Sequence, residues 1–268
     1  MTEPTTPAAR FRAEYGAHRA AEGRGGTAEL LALPYLADGP LAKQWAVRAR
    51  SYDAFVRHVL RPMAAAQARP LALLDLGAGS GWLCRRAGVE GHRAVALDVR
   101  DDAVDGLGAA NGLLAENPGL FTRVAASFDA LPLRARGFDL VVFNAALHYA
   151  LELAAVLAEA ARVVRPGGQL VILDSPFYAK DADGEAMVAE KRAYAAQKFG
   201  GRADALLALP FIEYLTRGRL AAASAGLGLS WRRRRVRYPL WYEARPLLAR
   251  LRGGRTPSRF DLWVSDVP

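Results

Sequence analysis

The sequence predicts an α/β fold built on a parallel sheet. From Leu71 onward, short apolar runs are separated by helical stretches, and none of these runs shows the apolar/polar alternation of a strand with one wet face. At Leu73-Leu74-Asp75-Leu76-Gly77-Ala78-Gly79-Ser80-Gly81-Trp82-Leu83 the first run passes through a glycine-rich turn into a helix, the junction that brings backbone close to a ligand.

The elements follow in order. Residues 1–10 carry two Pro and three Thr without apolar period and read as a flexible tail. Residues 11–70 read as a helical cap, with Trp45, Val47, Tyr52, Phe55, Val56, Val59 and Leu60 near period 3.6 and breaks at Gly23–Gly26 and Asp38-Gly39-Pro40. Residues 71–268 form the main domain, whose strand candidates are LALLDL, RAVALDVR, TRVAAS, FDLVVFNA and QLVILDSP. Beyond Pro176, residues 183 to about 226 read as helix with breaks at Gly200-Gly201 and Pro210, followed by strand candidates 230–238 and 259–265 around a helical stretch. The insertion at about 177–210 is far longer than an ordinary connection and is expected to be a lid.

Composition excludes several classes. The 268 residues are 52% hydrophobic and 24% charged, the balance of a globular protein with a sizeable core. A single cysteine, Cys84, makes neither an internal disulfide nor a thiolate metal site, and no metal is expected. With no signal-like N-terminus and no apolar run of about 18 residues, the expectation is a cytoplasmic protein without membrane association. The net charge of +9 sits in residues 217–268, where 12 Arg meet only Glu243, Asp261 and Asp266 (12 − 3 = +9), leaving residues 1–216 neutral. The run Arg232-Arg233-Arg234-Arg235-Val236-Arg237 reads either as a solvated edge strand or as a surface for RNA or an anionic substrate.

The glycine turn has the spacing G-x-G-x-G, and Trp82 stands where a dinucleotide-binding turn needs a third close-packing glycine. Asp98, at the tip of the second strand candidate and 17 residues after Gly81, is placed to accept hydrogen bonds from the two hydroxyls of a ribose.

With the acid Asp98, SFDALPL, GFDLVVFNAALHY and RPGGQLVILD in the same order, the chain resembles the class I S-adenosylmethionine-dependent methyltransferases, most closely their small-molecule branch with a type 11 domain. The resemblance is strong over about Leu71 to Val171. It implies a Rossmann-like seven-stranded sheet, mostly parallel with its last strand antiparallel, helices on both faces, and S-adenosyl-L-methionine as cofactor with S-adenosyl-L-homocysteine as product. Carried over, Asp75, Gly77, Ala78, Gly79 and Gly81 cradle the methionine part, Asp98 binds the ribose and Val99 lies against the adenine. Phe128 takes the position whose amide faces the ring. The family's adenine-binding Asp is replaced by Ser127, with Asp129 two residues on, so either side chain is a candidate.

Asn144 and Ala145, ending FDLVVFNA, fall over the reactive methyl in this family. The sequence Asn144-Ala145-Ala146-Leu147-His148-Tyr149 departs from the Asn-Pro-Pro-Tyr pattern of amino- and amide-nitrogen methyltransferases. His148 is the candidate general base, with helix capping or contact to the cofactor carboxylate as the alternative; Tyr149 is a second catalytic candidate. Trp45, Arg48, Tyr52, Asp174, Ser175 and Tyr178 are candidates for the acceptor side. Tyr15, His18, Arg19, Tyr35 and Gln44 complete a basic and aromatic set that would close over the site. The expected activity is methyl transfer to a small-molecule acceptor, oxygen before nitrogen or carbon. The rival readings are an RNA methyltransferase and a cofactor-binding relative that transfers no methyl group.

Overall fold

The computed structural model describes residues 6–25, 27–200 and 203–268. Four helices precede the sheet: α1 (Pro7–Ala21), α2 (Thr27–Ala32), α3 (Ala42–Phe55) and α4 (Arg61–Gln67). Part of the expected tail is therefore helix, and the reason is local. The Thr6 hydroxyl accepts from the Ala9 amide, and Pro7 occupies the first turn, where a missing N–H costs nothing. Residues 1–5, Gly26, Gly201 and Arg202 lie outside the described residues. A π-helical turn, Val56–Leu60, joins α3 to α4 next to Pro62, which has no amide to donate.

The next elements are β1 (Ala72–Leu76), α5 (Trp82–Val89), β2 (Arg93–Asp98), α6 (Asn111–Glu116), β3 (Thr122–Ala125), β4 (Phe138–Asn144), α7 (Leu153–Val163) and β5 (Val164–Leu173). After them come β6 (Phe177–Tyr178), α8 (Asp181–Phe199), α9 (Ala203–Leu206), β7 (Leu215–Thr216) and α10 (Arg217–Ala223). The chain closes with β8 (Arg232–Arg234), α11 (Leu240–Glu243), α12 (Arg245–Leu251) and β9 (Leu262–Asp266). The seven-stranded sheet has the order β3-β2-β1-β4-β5-β9-β8, with β1 to β5 parallel and β9 antiparallel to both its neighbours.

The absence of alternation in the strand runs has its explanation in two cores. Leu73, Leu140, Val142, Val171 and Leu173 face one cluster with α3 and α5, whereas Leu74, Leu76, Val141, Phe143 and Ile172 face a second with α7 and α10. Successive side chains of β1, β4 and β5 thus enter opposite layers, both dry.

Two expectations are corrected. Residues 210–216 are not helix: the amides of Ile212 and Glu213 donate to the carbonyls of Ala150 and His148, and β7 pairs in parallel with β6. The segment thereby returns across the carboxyl end of β4. The strand expected over 230–238 is only three residues long, because beyond Arg234 the Val236 amide donates to the Asp261 carboxylate instead of a strand carbonyl. β8 is nonetheless the sheet edge, with Arg232, Arg233 and Arg234 exposed. Among the described residues no helix is long and apolar enough to cross a membrane.

Candidate active site

The carboxyl ends of β1, β2 and β4 border a cavity of about 340 Å³. Its floor is the glycine turn, where Gly77, Ala78 and Gly79 line the space. Gly77 has φ +75°, and a Cβ there would stand 2.4 Å from the Ala146 Cβ, so backbone alone forms this wall. Asp98 and Val99 line one side; Ser127, Phe128 and Asp129 line another; Asn144, Ala145 and Tyr149 close the far end.

The Asp98 carboxylate accepts from the Gly79 amide at 2.7 Å and from the Arg100 amide at 2.8 Å, which locks the tip of β2 to the turn after β1. Burial holds its pKa above the ordinary carboxylate value against these two amides. Asp75 is fully buried one turn beneath, and neither carboxylate oxygen has a partner among the described residues. Burial, then the nearby Asp98, push its pKa up to about 8, with Arg48 opposing. The Ser127 hydroxyl donates to Asp129 at 2.6 Å, so the two adenine candidates form one hydrogen-bonded unit.

A second chamber, of about 510 Å³, adjoins the first. Tyr15, Arg19, Arg48, Ala145 and Tyr149 line both. Arg48 lies over the rings of Trp45 and Trp82, 4.4 and 5.7 Å from their centroids, and donates to Asn144 Oδ1 at 3.3 Å and Asp174 Oδ2 at 3.4 Å. Asp174 in turn accepts from Ser51 at 2.5 Å, and Ser51 contacts the Tyr238 hydroxyl at 2.8 Å. His148 lines the second chamber only, with Nδ1 buried and unpartnered among the described residues. Burial, then Lys191 and Arg48, lower its pKa to about 3, so the imidazole is neutral at physiological pH.

Residues 74–172 match the family model described as a methyltransferase domain. This stretch of the chain is similar to methyltransferase domains. It is 32% identical over 107 residues to the malonyl-[acyl-carrier protein] O-methyltransferase of Erwinia pyrifoliae, covering 39% of this chain and 38% of the relative. To the enzyme of the same description from Methylococcus capsulatus it is 33% identical over 159 residues, 58% of this chain and 50% of the relative. The chain thus spans half or less of the length of these curated relatives. In fold it resembles a geranyl diphosphate C-methyltransferase from Streptomyces coelicolor solved with Mg²⁺, geranyl diphosphate and S-adenosyl-L-homocysteine, with a TM-score of 0.60 and 14% identity over 99% of this chain and 100% of that one.

The site fits S-adenosylmethionine on two observations: the side-chain-free wall at Gly77, and the orphaned, fully buried Asp75 carboxylate on the strand leading into it, which itself lines neither cavity. Not every expected residue reaches the cavities. Gly81 instead caps α5 with φ +77°, where a Cβ would come within 2.8 Å of Phe121. Tyr52 is core, edge-on to Trp82 at 5.5 Å. Ser175 is buried with its hydroxyl unpartnered among the described residues, and Tyr178 packs between Arg255 and Tyr214.

Sequence reading missed Asp105 and the aromatic roof. Asp105 lines the donor cavity and accepts from Arg19 Nε at 2.6 Å, tying α1 to the segment after β2. Phe211, beyond α8 and α9, meets Phe11 and Tyr149 edge-on at 5.0 and 5.3 Å. The only available signal for it was Pro210, read as a helix break. The arginine run is largely paired: Arg232 with Asp266, Arg233 with Asp261, Arg235 with Glu243.

Proposed function

We propose that the protein transfers the methyl group of S-adenosylmethionine to a small-molecule acceptor, oxygen before nitrogen or carbon. The observation that carries the reading is the shared wall: a donor cavity and a second chamber meet at Arg48, Ala145, Tyr149, Tyr15 and Arg19. Bound S-adenosylmethionine supplies a methyl carbon activated by the adjacent sulfonium.

The chain's own residues have to bind and orient. In this reading Asp98 accepts from the ribose hydroxyls, Val99 covers the adenine, and Asp75 with Gly77, Ala78 and Gly79 holds the methionine part. Asp129 takes the adenine amino group: that group donates, the Asp129 carboxylate has acceptor capacity to spare, and the Ser127 hydroxyl oxygen already accepts from the Asp129 amide. Asn144 and Arg48 fix the junction, and Tyr149 stands across it from Tyr15.

An imidazole with a pKa of about 3 is a weak base. His148 therefore serves an acceptor whose proton is already acidic or absent, and the relatives' description as O-methyltransferases supports an oxygen acceptor. Titration calorimetry with S-adenosylmethionine and with S-adenosylhomocysteine tests the reading: both bind, and absence of heat and of thermal shift with both overturns it. Labelled methyl recovered in a product separates transfer from mere binding.

A further inference from the structure

We propose that the second chamber takes an anion with an aromatic or apolar body, its charged group held by Arg245 and Lys43. That this anion is the methyl acceptor rests on the methyl-transfer reading above; that the chamber selects an anion does not.

Charge accounting within the chamber leads there. Arg19, Lys43, Arg48 and Arg245 line it, against one carboxylate, Asp174. Arg19 is compensated by Asp105 and Glu22, and Arg48 by Asp174. Arg245 is not. Its Nε donates to the Tyr242 carbonyl at 3.3 Å and its Nη2 to the Ser258 carbonyl at 2.8 Å, neutral groups that aim the guanidinium without cancelling its charge. Nη1 has no acceptor among the described residues, and the guanidinium stacks 3.5 Å from the centroid of Tyr242. Lys43, exposed on α3, likewise has no acidic partner among the described residues.

Oriented, uncompensated cations beside a half-buried space are a site for a carboxylate or phosphate, which a planar guanidinium grips through charge-assisted bonds. Two further polar atoms of the lining, Tyr242 Oη and His148 Nδ1, are buried without partners among the described residues. The rest of the lining is apolar: Val47, Pro176, Phe260, the ring of Tyr242 and Trp241, which is 49% exposed. Neither Lys43 nor Arg245 lines the donor cavity, so an anion held there leaves the far end of its body free to reach the junction.

The test uses the full chain saturated with S-adenosylhomocysteine and three matched probes: 3-phenylpropionate, 3-phenylpropan-1-ol and 3-phenylpropylamine. Titration calorimetry is expected to rank the carboxylate about tenfold or more above the alcohol, with the amine weakest. Arg245→Gln removes most of that preference, Arg245→Lys restores part of it, and Trp241→Ala weakens carboxylate and alcohol alike. Circular dichroism and retained S-adenosylhomocysteine binding establish that each variant is folded. Equal binding of carboxylate and alcohol, no binding of any probe, or a preference unchanged in both Arg245→Gln and Lys43→Gln overturns the proposal. If S-adenosylhomocysteine itself does not bind, the methyl-transfer reading fails; the same three probes titrated without it still decide the anion preference.

Discussion

Tyr15 on α1 and Tyr149 after β4 meet hydroxyl to hydroxyl at 3.1 Å, across the wall that divides the two chambers. Burial, then Tyr15 beside it, raises the Tyr149 pKa above the ordinary phenol value, so the Tyr149 hydroxyl keeps its proton at physiological pH, and one hydroxyl donates to the other. A double-mutant cycle of Tyr15→Phe and Tyr149→Phe on thermal stability should give a coupling of about 0.5–1.5 kcal/mol. Each single variant should also release S-adenosylhomocysteine faster in stopped-flow displacement. Strictly additive variants would mean that the pair does not hold α1 in place.

Asp98→Ala removes the carboxylate that faces the donor cavity and fastens β2 to the glycine turn. Loss of a charge-assisted interaction of this kind costs about 1.5–3 kcal/mol, a fall of roughly 10- to 100-fold in S-adenosylhomocysteine affinity by calorimetry. Unchanged affinity would remove Asp98 from the ribose role.

Asp75 makes stability depend on pH in the direction opposite to most carboxylates. Its native pKa of about 8 lies above the ordinary value of 3.8, so the native state holds the proton longer than the unfolded chain. Stability from this group is complete below pH 3.8 and is lost as pH rises through about 8, at no more than roughly 1.4 kcal/mol per pH unit. Asp75→Asn, which copies the protonated form, should match the wild type in melting temperature only below about pH 3.8 and exceed it increasingly from there toward pH 8 when no cofactor is present.

Asp139 shows the usual sign. Fully buried at the start of β4, it accepts from the Ala72 amide at 2.7 Å and from both Nη atoms of Arg69, and it forms an ion pair with Arg165. Although burial opposes them, these partners hold its pKa below the ordinary value, so its stabilisation is present above about pH 4 and is lost as pH falls further. Asp139→Ala strands the Ala72 amide, while the partly exposed Arg69 and Arg165 turn to water, and chemical denaturation should show a loss of about 1–3 kcal/mol with flattened acid dependence.

The central sheet was legible because both faces of β1, β4 and β5 are dry, and a strand of that kind writes an unbroken apolar run. The glycine turn was legible because positive φ at Gly77 and Gly81 admits little else. β6 and β7, two residues each, carry too few side chains to write a pattern. The start of α1 was written in Thr6-Pro7 and was overlooked for the surrounding Thr and Pro. The Arg245 anchor had no local signature, since its meaning comes from the carbonyls of Tyr242 and Ser258 and from the lack of an ion-pair partner among the described residues. Asp105 was hidden likewise: its partner Arg19 is 86 residues away.

The bonds that close the second chamber link residues far apart along the chain: Arg48 to Asp174 across 126 positions, and Ser51 to Tyr238 across 187. Donor-cavity residues from Gly77 to Ala145, by contrast, come from one continuous stretch. During synthesis that stretch leaves the ribosome, and can form its glycine turn and parallel strands, before Tyr238 has been added. Closing the longest loops bears the largest entropic cost. The second chamber is therefore the last region to assemble on a growing chain.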